Sequence, residues 1–94
     1  MAIVFDTLND EQVYSESMSE LYECAPRIAR EIGDIFVKAD ATEEHDVAQH
    51  LLDRVIDYTS GVLAGADYSS NTELVSIVRR ILLTLVWSGI SIQQ

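Results

Sequence analysis

Apolar side chains recur at intervals of three and four residues along most of the chain, which is the spacing of one face of an α-helix. Proline, glycine and helix-capping residues divide this pattern into four stretches. The stretches predict helices at about 8–24, 26–38, 42–64 and 71–90. Because only short connections separate them, we expect an all-α fold, a compact four-helix bundle-like single domain spanning 1–94.

The first two helices have recognisable boundaries. The first begins near Thr7 or Asn9, and Pro26 separates it from the second, since proline is well tolerated at a first helical position. Gly33 lies in the middle of the second helix, where it weakens the helix. A glycine at such a position indicates a close contact with another helix.

The last two helices are preceded by capping patterns. Residues 40–43 (DATE) and 70–73 (SNTE) match the capping box, with Thr42 as an alternative cap for the third helix. Gly65 follows the third helix, where a left-handed C-cap is expected. These signals set the predicted ends of both helices.

The fourth predicted helix is apolar nearly all round. Its one continuous polar line consists of Ser76, Arg80, Thr84 and Ser88. Such a helix is either central in its fold or bound on two sides. We therefore expect a homodimer whose seam is formed by the excess apolar residues: Leu82, Leu83, Leu85, Val86 and Trp87. Burial of four or five such side chains contributes ~6–15 kcal/mol per subunit before the costs of association.

A membrane span is the alternative for this helix, because a span needs about 20 mostly apolar residues. Arg79 and Arg80 oppose it, since each charge near the middle of a span costs ~2.5–3.5 kcal/mol. Burial against protein is therefore favoured. We expect the two arginines to pair with acids on another helix or another subunit.

A short apolar run, Ile3-Val4-Phe5, precedes the first helix. We expect it to lie as an arm on the core rather than as a strand on a partner's edge, because no second strand-like run is evident to pair with it. Residues 1–8 lack the basic and long apolar regions of a signal peptide, and Cys24 is the chain's only cysteine. These features predict a cytoplasmic protein.

Acidic residues dominate the charge and are unevenly placed. The net charge is −10, to which residues 1–24 contribute −6, residues 41–70 contribute −5 and residues 71–94 contribute +1. On the predicted helices these acids form an outward face: Glu16, Glu20, Glu23, Asp46, Asp53 and Asp57. Such a surface repels nucleic acid and anionic lipid, so we expect a larger protein with a basic surface as the partner. The alternative is that the acids only keep the domain soluble.

His50 shares its predicted helix face with acidic residues, an arrangement that metal sites also use. Di-iron bundles, however, carry a glutamate three residues before the histidine, and Val47 occupies that position. No zinc motif, phosphate loop or nucleophile elbow occurs in the sequence. Cys24 follows several acids and precedes two arginines, and a small buried or half-buried apolar residue is the better interpretation. We expect no metal, no cofactor and no enzymatic activity.

The acidic face and the apolar helix suggest different functions. In the first hypothesis the chain is an inhibitor or regulator that blocks a basic protein sterically or by imitating nucleic acid. The imitation is suggested by spacing, because carboxylates four residues apart on a helix are separated by about 6 Å along its axis, close to the distance between successive phosphates. Phage anti-CRISPR and anti-restriction inhibitors, and bacterial immunity proteins, are similar in composition. In the second it is a structural or assembly protein whose C-terminal helix mediates oligomerisation.

Overall fold

The helices begin and end close to where the apolar period places them. A computed structural model describes residues 3–86 and the backbone of 90–92. Its helices are α1 (Leu8–Cys24), α2 (Pro26–Ala41), α3 (His45–Ala64) and α4 (Thr72–Val86), and its strands are β1 (Ile3–Phe5) and β2 (Ile90–Ile92). The predicted all-α, bundle-like fold is therefore confirmed.

α1 and α2 are joined by a single residue. Thr7 caps α1, because its hydroxyl accepts a hydrogen bond from the Asp10 amide at 3.0 Å. The chain leaves the helical conformation at Ala25 (φ −147°, ψ 77°), and Pro26 opens α2. A proline at this position cannot continue α1, so it fixes the boundary that the sequence predicts.

α1 and α2 pack closely as an antiparallel hairpin. A Cβ atom added to Gly33 would lie 3.1 Å from the Tyr22 hydroxyl and 3.6 Å from the Met18 methyl group. Further along the hairpin, the rings of Tyr14 and Phe36 stack with centroids 4.6 Å apart. The predicted close helix contact at Gly33 is therefore confirmed.

The boundary between α2 and α3 differs from the prediction. α2 continues to Ala41, so Asp40 lies within it and the pattern at 40–43 does not cap α3. The Asp40 carboxylate instead accepts a hydrogen bond from the Ile3 amide at 3.0 Å. In the turn that follows, the Thr42 hydroxyl accepts from the Glu44 amide, and Glu44 precedes the first residue of α3.

Two other capping predictions are wrong. Gly65 has a φ of −73° and not the left-handed conformation, because its amide donates to the Val62 carbonyl at 3.3 Å and tightens the last turn of α3. At the start of α4, the side chain of Asn71 and not that of Ser70 accepts the Leu74 amide at 3.1 Å. The helix consequently starts one residue later than predicted.

The apolar run at 3–5 lies on the core, as predicted, but it is a strand with a partner and not an unpaired arm. β1 and β2 form a two-stranded antiparallel sheet in which Ile3 lies opposite Ile92. The arm prediction is wrong in this respect, and so is the extension of the fourth helix to residue 90. The missed partner is the sequence ISI at 90–92, where β-branched residues alternate with a polar one. In the sequence this run merges with the apolar pattern of α4.

The helices are arranged as a ring of four around one core. α1 packs against α2 and α4, and α3 packs against the same two helices. α1 and α3 therefore stand at opposite corners of a body measuring 40 × 24 × 21 Å. Each helix contributes at least one fully buried aliphatic residue to the centre: Leu21, Ile32, Val55 and Ile81.

α4 turns one face to the core and leaves part of its apolar surface outside. Leu85 is 4% exposed and packs in the core, so it does not offer surface to the predicted dimer seam. Leu82 is half-buried, whereas Leu83 and Val86 are 44% and 51% exposed. Trp87, the remaining residue predicted for the seam, lies outside the described residues.

The predicted polar line of α4 is interrupted by a buried residue. Thr84 lies in the bundle, where its hydroxyl donates to the Arg80 carbonyl at 2.7 Å and is thereby satisfied. Ser76 and Arg80 are exposed, and Ser88 falls outside the described part. Among the helices of the described ranges, none is long and apolar enough to cross a membrane.

Candidate functional site

The most regular acidic surface runs along α3. Asp46, Asp53 and Asp57 are exposed and lie on the side of the helix opposite the buried Val55 and Thr59. This placement follows from the helical period, since the apolar side of α3 is taken up by α2 and α4. We call these three aspartates the α3 acidic line.

The α3 acidic line has little local charge compensation. The Gln49 amide donates to Asp53 at 3.1 Å, and His45 Nδ1 lies 3.8 Å from Asp46. Within residues 3–86, no lysine or arginine approaches these three carboxylates within 4.0 Å. The negative charge of the line is therefore open to a partner.

The acids of α1 are less uniform. Glu20 forms an ion pair with Arg80 of α4 at 2.9 Å, and both side chains are about half-exposed. This contact confirms for Arg80 the predicted pairing with an acid of another helix. Glu16 accepts a hydrogen bond from Gln12 at 3.0 Å, and Glu23 is exposed. Since Glu20 is matched by a cation, α1 offers fewer uncompensated charges than its sequence indicates.

The two sets of acids do not form one continuous surface. α1 and α3 occupy opposite corners of the bundle, and the acids of each helix lie on its solvent side. A flat partner surface therefore contacts one set at a time. Sequence patterns identify both sets but do not reveal this separation, because it depends on which helices are neighbours.

The residues considered for metal and thiol chemistry do not assemble into a site. His50 is exposed on α3, and no group of three His, Cys, Asp or Glu residues in the described ranges is placed to hold a metal ion. Cys24 is half-buried against the core at the end of α1, in agreement with its predicted apolar role.

A groove that the sequence patterns do not indicate lies beside β1. Its volume is about 310 Å³, and it is bordered by β1, the first turns of α1 and the last turns of α2. The lining residues are Ile3, Val4, Phe5, Leu8, Glu11, Phe36 and Asp40. In the sequence, Leu8 is an apolar residue off the buried stripe of α1, but this position alone does not indicate a groove.

Aromatic packing and one hydrogen bond hold β1 against the helices. The centroid of the Phe5 ring lies 5.5 Å from the centroid of the Tyr14 ring and 6.1 Å from that of the Phe36 ring. Ile3 is buried, and its amide is held by Asp40. The wall of the groove is therefore fixed at both ends of the strand.

Two tyrosines have raised pKa values. Burial raises the pKa of Tyr14 well above its usual range, and the nearby Tyr22 adds to the effect. Burial also raises the pKa of Tyr58, with contributions from Glu31 and Tyr68. A phenol is already neutral at physiological pH at its ordinary pKa, so the upward shifts leave both side chains uncharged and add nothing to either acidic surface.

No family model, curated protein or solved structure matches this chain. Its function is therefore inferred from the surfaces described above.

Proposed function

We propose that this chain is a small acidic inhibitor or regulator that binds a larger protein through a basic surface of that protein. The α3 acidic line is the observation that carries the proposal. Its carboxylates point away from the core, and within residues 3–86 they have no lysine or arginine partner. A surface with uncompensated charge of one sign favours a partner of the other sign.

One interval of the charge pattern, between Asp53 and Asp57, matches the spacing of successive phosphates and supports nucleic-acid mimicry. Asp53 and Asp57 are one helical turn apart, or about 6 Å, and Asp46 lies about two turns before Asp53. Because the carboxylates are mounted on a helix packed in the core, little backbone conformational freedom is lost on binding. A nucleic-acid-handling enzyme is accordingly the favoured partner, blocked as phage anti-CRISPR, anti-restriction or immunity proteins block theirs.

The α3 line is the primary contact in this proposal, and the acids of α1 are secondary. Glu20 is already paired with Arg80, so transferring it to a partner would break an existing contact. The opposite corners occupied by α1 and α3 also prevent a flat partner from contacting both. Glu16 and Glu23 then contribute chiefly to long-range steering.

Charge reversal on α3 tests the proposal. The partner is first captured from host extracts at about 50 mM and about 300 mM salt, because exposed charges are screened more strongly at the higher concentration. Affinity for the purified partner is then measured for Asp53→Lys/Asp57→Lys and for the matched α1 variant Glu16→Lys/Glu23→Lys. We expect at least a tenfold loss for the α3 variant and about threefold or less for the α1 variant. Equal affinity of the α3 variant and the unmodified chain would refute the proposal.

A structural or assembly function is the second candidate, and the exposed apolar residues of α4 favour it. Leu83 and Val86 are about half-exposed, and Leu82 and Val75 border them at helical spacing. In this alternative, α4 forms a homodimer and the acidic surfaces only maintain solubility.

Sedimentation equilibrium distinguishes this alternative. At micromolar concentration we expect a mass of twice 10.5 kDa for the unmodified chain and a single 10.5 kDa for Leu83→Ser/Val86→Ser. Val37→Ser on α2, which also removes an exposed valine, serves as the control and should leave the dimer intact. A 10.5 kDa unmodified chain would exclude the dimer without affecting the α3 proposal.

A further inference from the structure

We propose that the groove beside β1 binds a short segment of a partner protein in which a large apolar side chain is adjacent to a lysine or arginine. The proposal rests on the proposed function only in taking the partner to be a basic protein. It concerns a different surface from the α3 acidic line, because the groove lies between β1 and the ends of α1 and α2.

The apolar part of the groove is open to a partner. Leu8 is 84% exposed at its border, although leucine is among the residues most often buried in folded proteins. Val4 is also exposed, whereas Phe5 and Phe36 form a half-buried aromatic wall. An apolar side chain that covers Leu8 and contacts this wall would remove several apolar surfaces from water together.

The charge of the groove specifies the second feature of the occupant. Glu11 and Asp40 are its charged lining residues in the described part, and both are acidic. The half-buried Asp40 carboxylate already accepts the Ile3 amide, so its negative charge is fixed in position. A cation next to the apolar side chain would be attracted to this pair, whereas an acidic segment would be repelled.

The size and rigidity of the groove favour a short peptide segment. A volume of about 310 Å³ is at the lower end of the range for small-molecule sites and suits one or two side chains. The strand is paired with β2, and its aromatic residue is stacked on the helices, so the groove is preformed. A second copy of the chain is a poor occupant, since its net charge is −10.

Titration of the ¹⁵N-labelled full chain tests the inference. The probe is an acetylated and amidated hexapeptide of alternating arginine and leucine, compared with its glutamate–leucine and arginine–serine counterparts. We expect saturable changes in the amide chemical shifts of β1, Leu8 and Glu11 with the arginine–leucine peptide only. Shifts of equal size with the arginine–serine peptide, or no saturable shifts at these residues up to millimolar peptide, would overturn the inference.

Matched variants separate the apolar contribution from the electrostatic one. We expect Leu8→Ser to weaken binding of the arginine–leucine peptide about tenfold, and Val37→Ser, at a 65% exposed position outside the groove, to change it less than twofold. Glu11→Gln should weaken binding about threefold or more, whereas Glu16→Gln on the same helix should have little effect. If the Leu8→Ser and Val37→Ser variants bind the arginine–leucine peptide with the same affinity, the groove is not the site of peptide binding.

The same titration separates this inference from the proposed function. Asp53→Lys/Asp57→Lys leaves the groove unchanged, so the peptide should bind this variant within threefold of the unmodified chain. If the peptide binds normally while partner affinity is insensitive to the α3 reversal, the groove stands and the α3 proposal fails. If partner affinity falls with α3 reversal but the peptide does not bind, only the groove proposal fails.

Discussion

Ser17 is the buried hydroxyl of the described residues that has no hydrogen-bond partner. It is 1% exposed on α1, whereas the equally buried Thr59 donates to the Val55 and Ile56 carbonyls within α3. A buried polar group without a partner loses its hydration and gains nothing in return. The two hydroxyls therefore differ in energy although both are buried.

Replacing Ser17 by alanine is expected to stabilise the fold. The change removes the unsatisfied hydroxyl and introduces the better helix former, so we expect a gain of about 0.5–1.5 kcal/mol in the free energy of unfolding. Urea denaturation followed by circular dichroism measures this change. Thr59→Val is the control, because its hydroxyl has acceptors and its loss should give no such gain. A loss of stability in Ser17→Ala would show that the hydroxyl has a partner.

At the scale of elements, the sequence predicts the helices well and the strands poorly. The apolar period identifies α1 to α4, and Pro26 locates a boundary that local chemistry alone determines, whereas the choice between Thr7 and Asn9 as the start of α1 is decided only by the structure, in favour of Thr7. Asp40 is mispredicted as a cap because its actual partner, Ile3, is 37 residues away. The partner strand at 90–92 is missed for the same reason, since an apolar run next to a helix gives no local sign that it pairs with the other end of the domain.

The hydrogen bond between Asp40 and Ile3 is expected to hold β1 in place. Asp40→Ala removes a charged acceptor from a partly buried amide, so we expect a loss of about 1–2 kcal/mol in stability and faster amide hydrogen exchange in β1. Asp40→Asn keeps an acceptor oxygen, so the β1 amides of this variant should retain most of their protection from hydrogen exchange. Identical exchange in the alanine variant and the unmodified chain would argue against this role.

At the scale of the whole molecule, charge opposes compactness. The net charge is −10, and the cross-helix compensation in the described part is the pair formed by Glu20 and Arg80. An exposed pair of this kind contributes only about 0–1 kcal/mol. Repulsion among the acids therefore outweighs attraction at low ionic strength.

The two candidate surfaces differ in how far the sequence predicts them. The acidic surface could be predicted from the sequence, whereas the groove could not, because three separate elements build it.

Salt is consequently expected to stabilise the domain. Raising sodium chloride from about 10 mM to about 300 mM shortens the screening length several-fold, and we expect the free energy of unfolding to rise by about 1 kcal/mol. Thermal unfolding at several salt concentrations measures the effect. Asp53→Asn/Asp57→Asn lowers the charge without changing side-chain size, and its salt dependence should be weaker. A fall in stability with salt would mean that attractive pairs dominate.

The pairing of β1 with β2 has a consequence for the order of folding. Ile3 and Ile92 are opposite each other in the sheet but 89 positions apart in sequence, whereas neighbouring helices are joined by short turns. Closing so long a loop before the bundle forms has a high entropic cost, while docked helices bring the two strands together. The helices are therefore expected to fold first and the sheet last. By the same reasoning, we expect separation of the two strands to be the earliest local opening on the route to unfolding. It would loosen β1, which forms one wall of the groove, while the helical bundle is still intact.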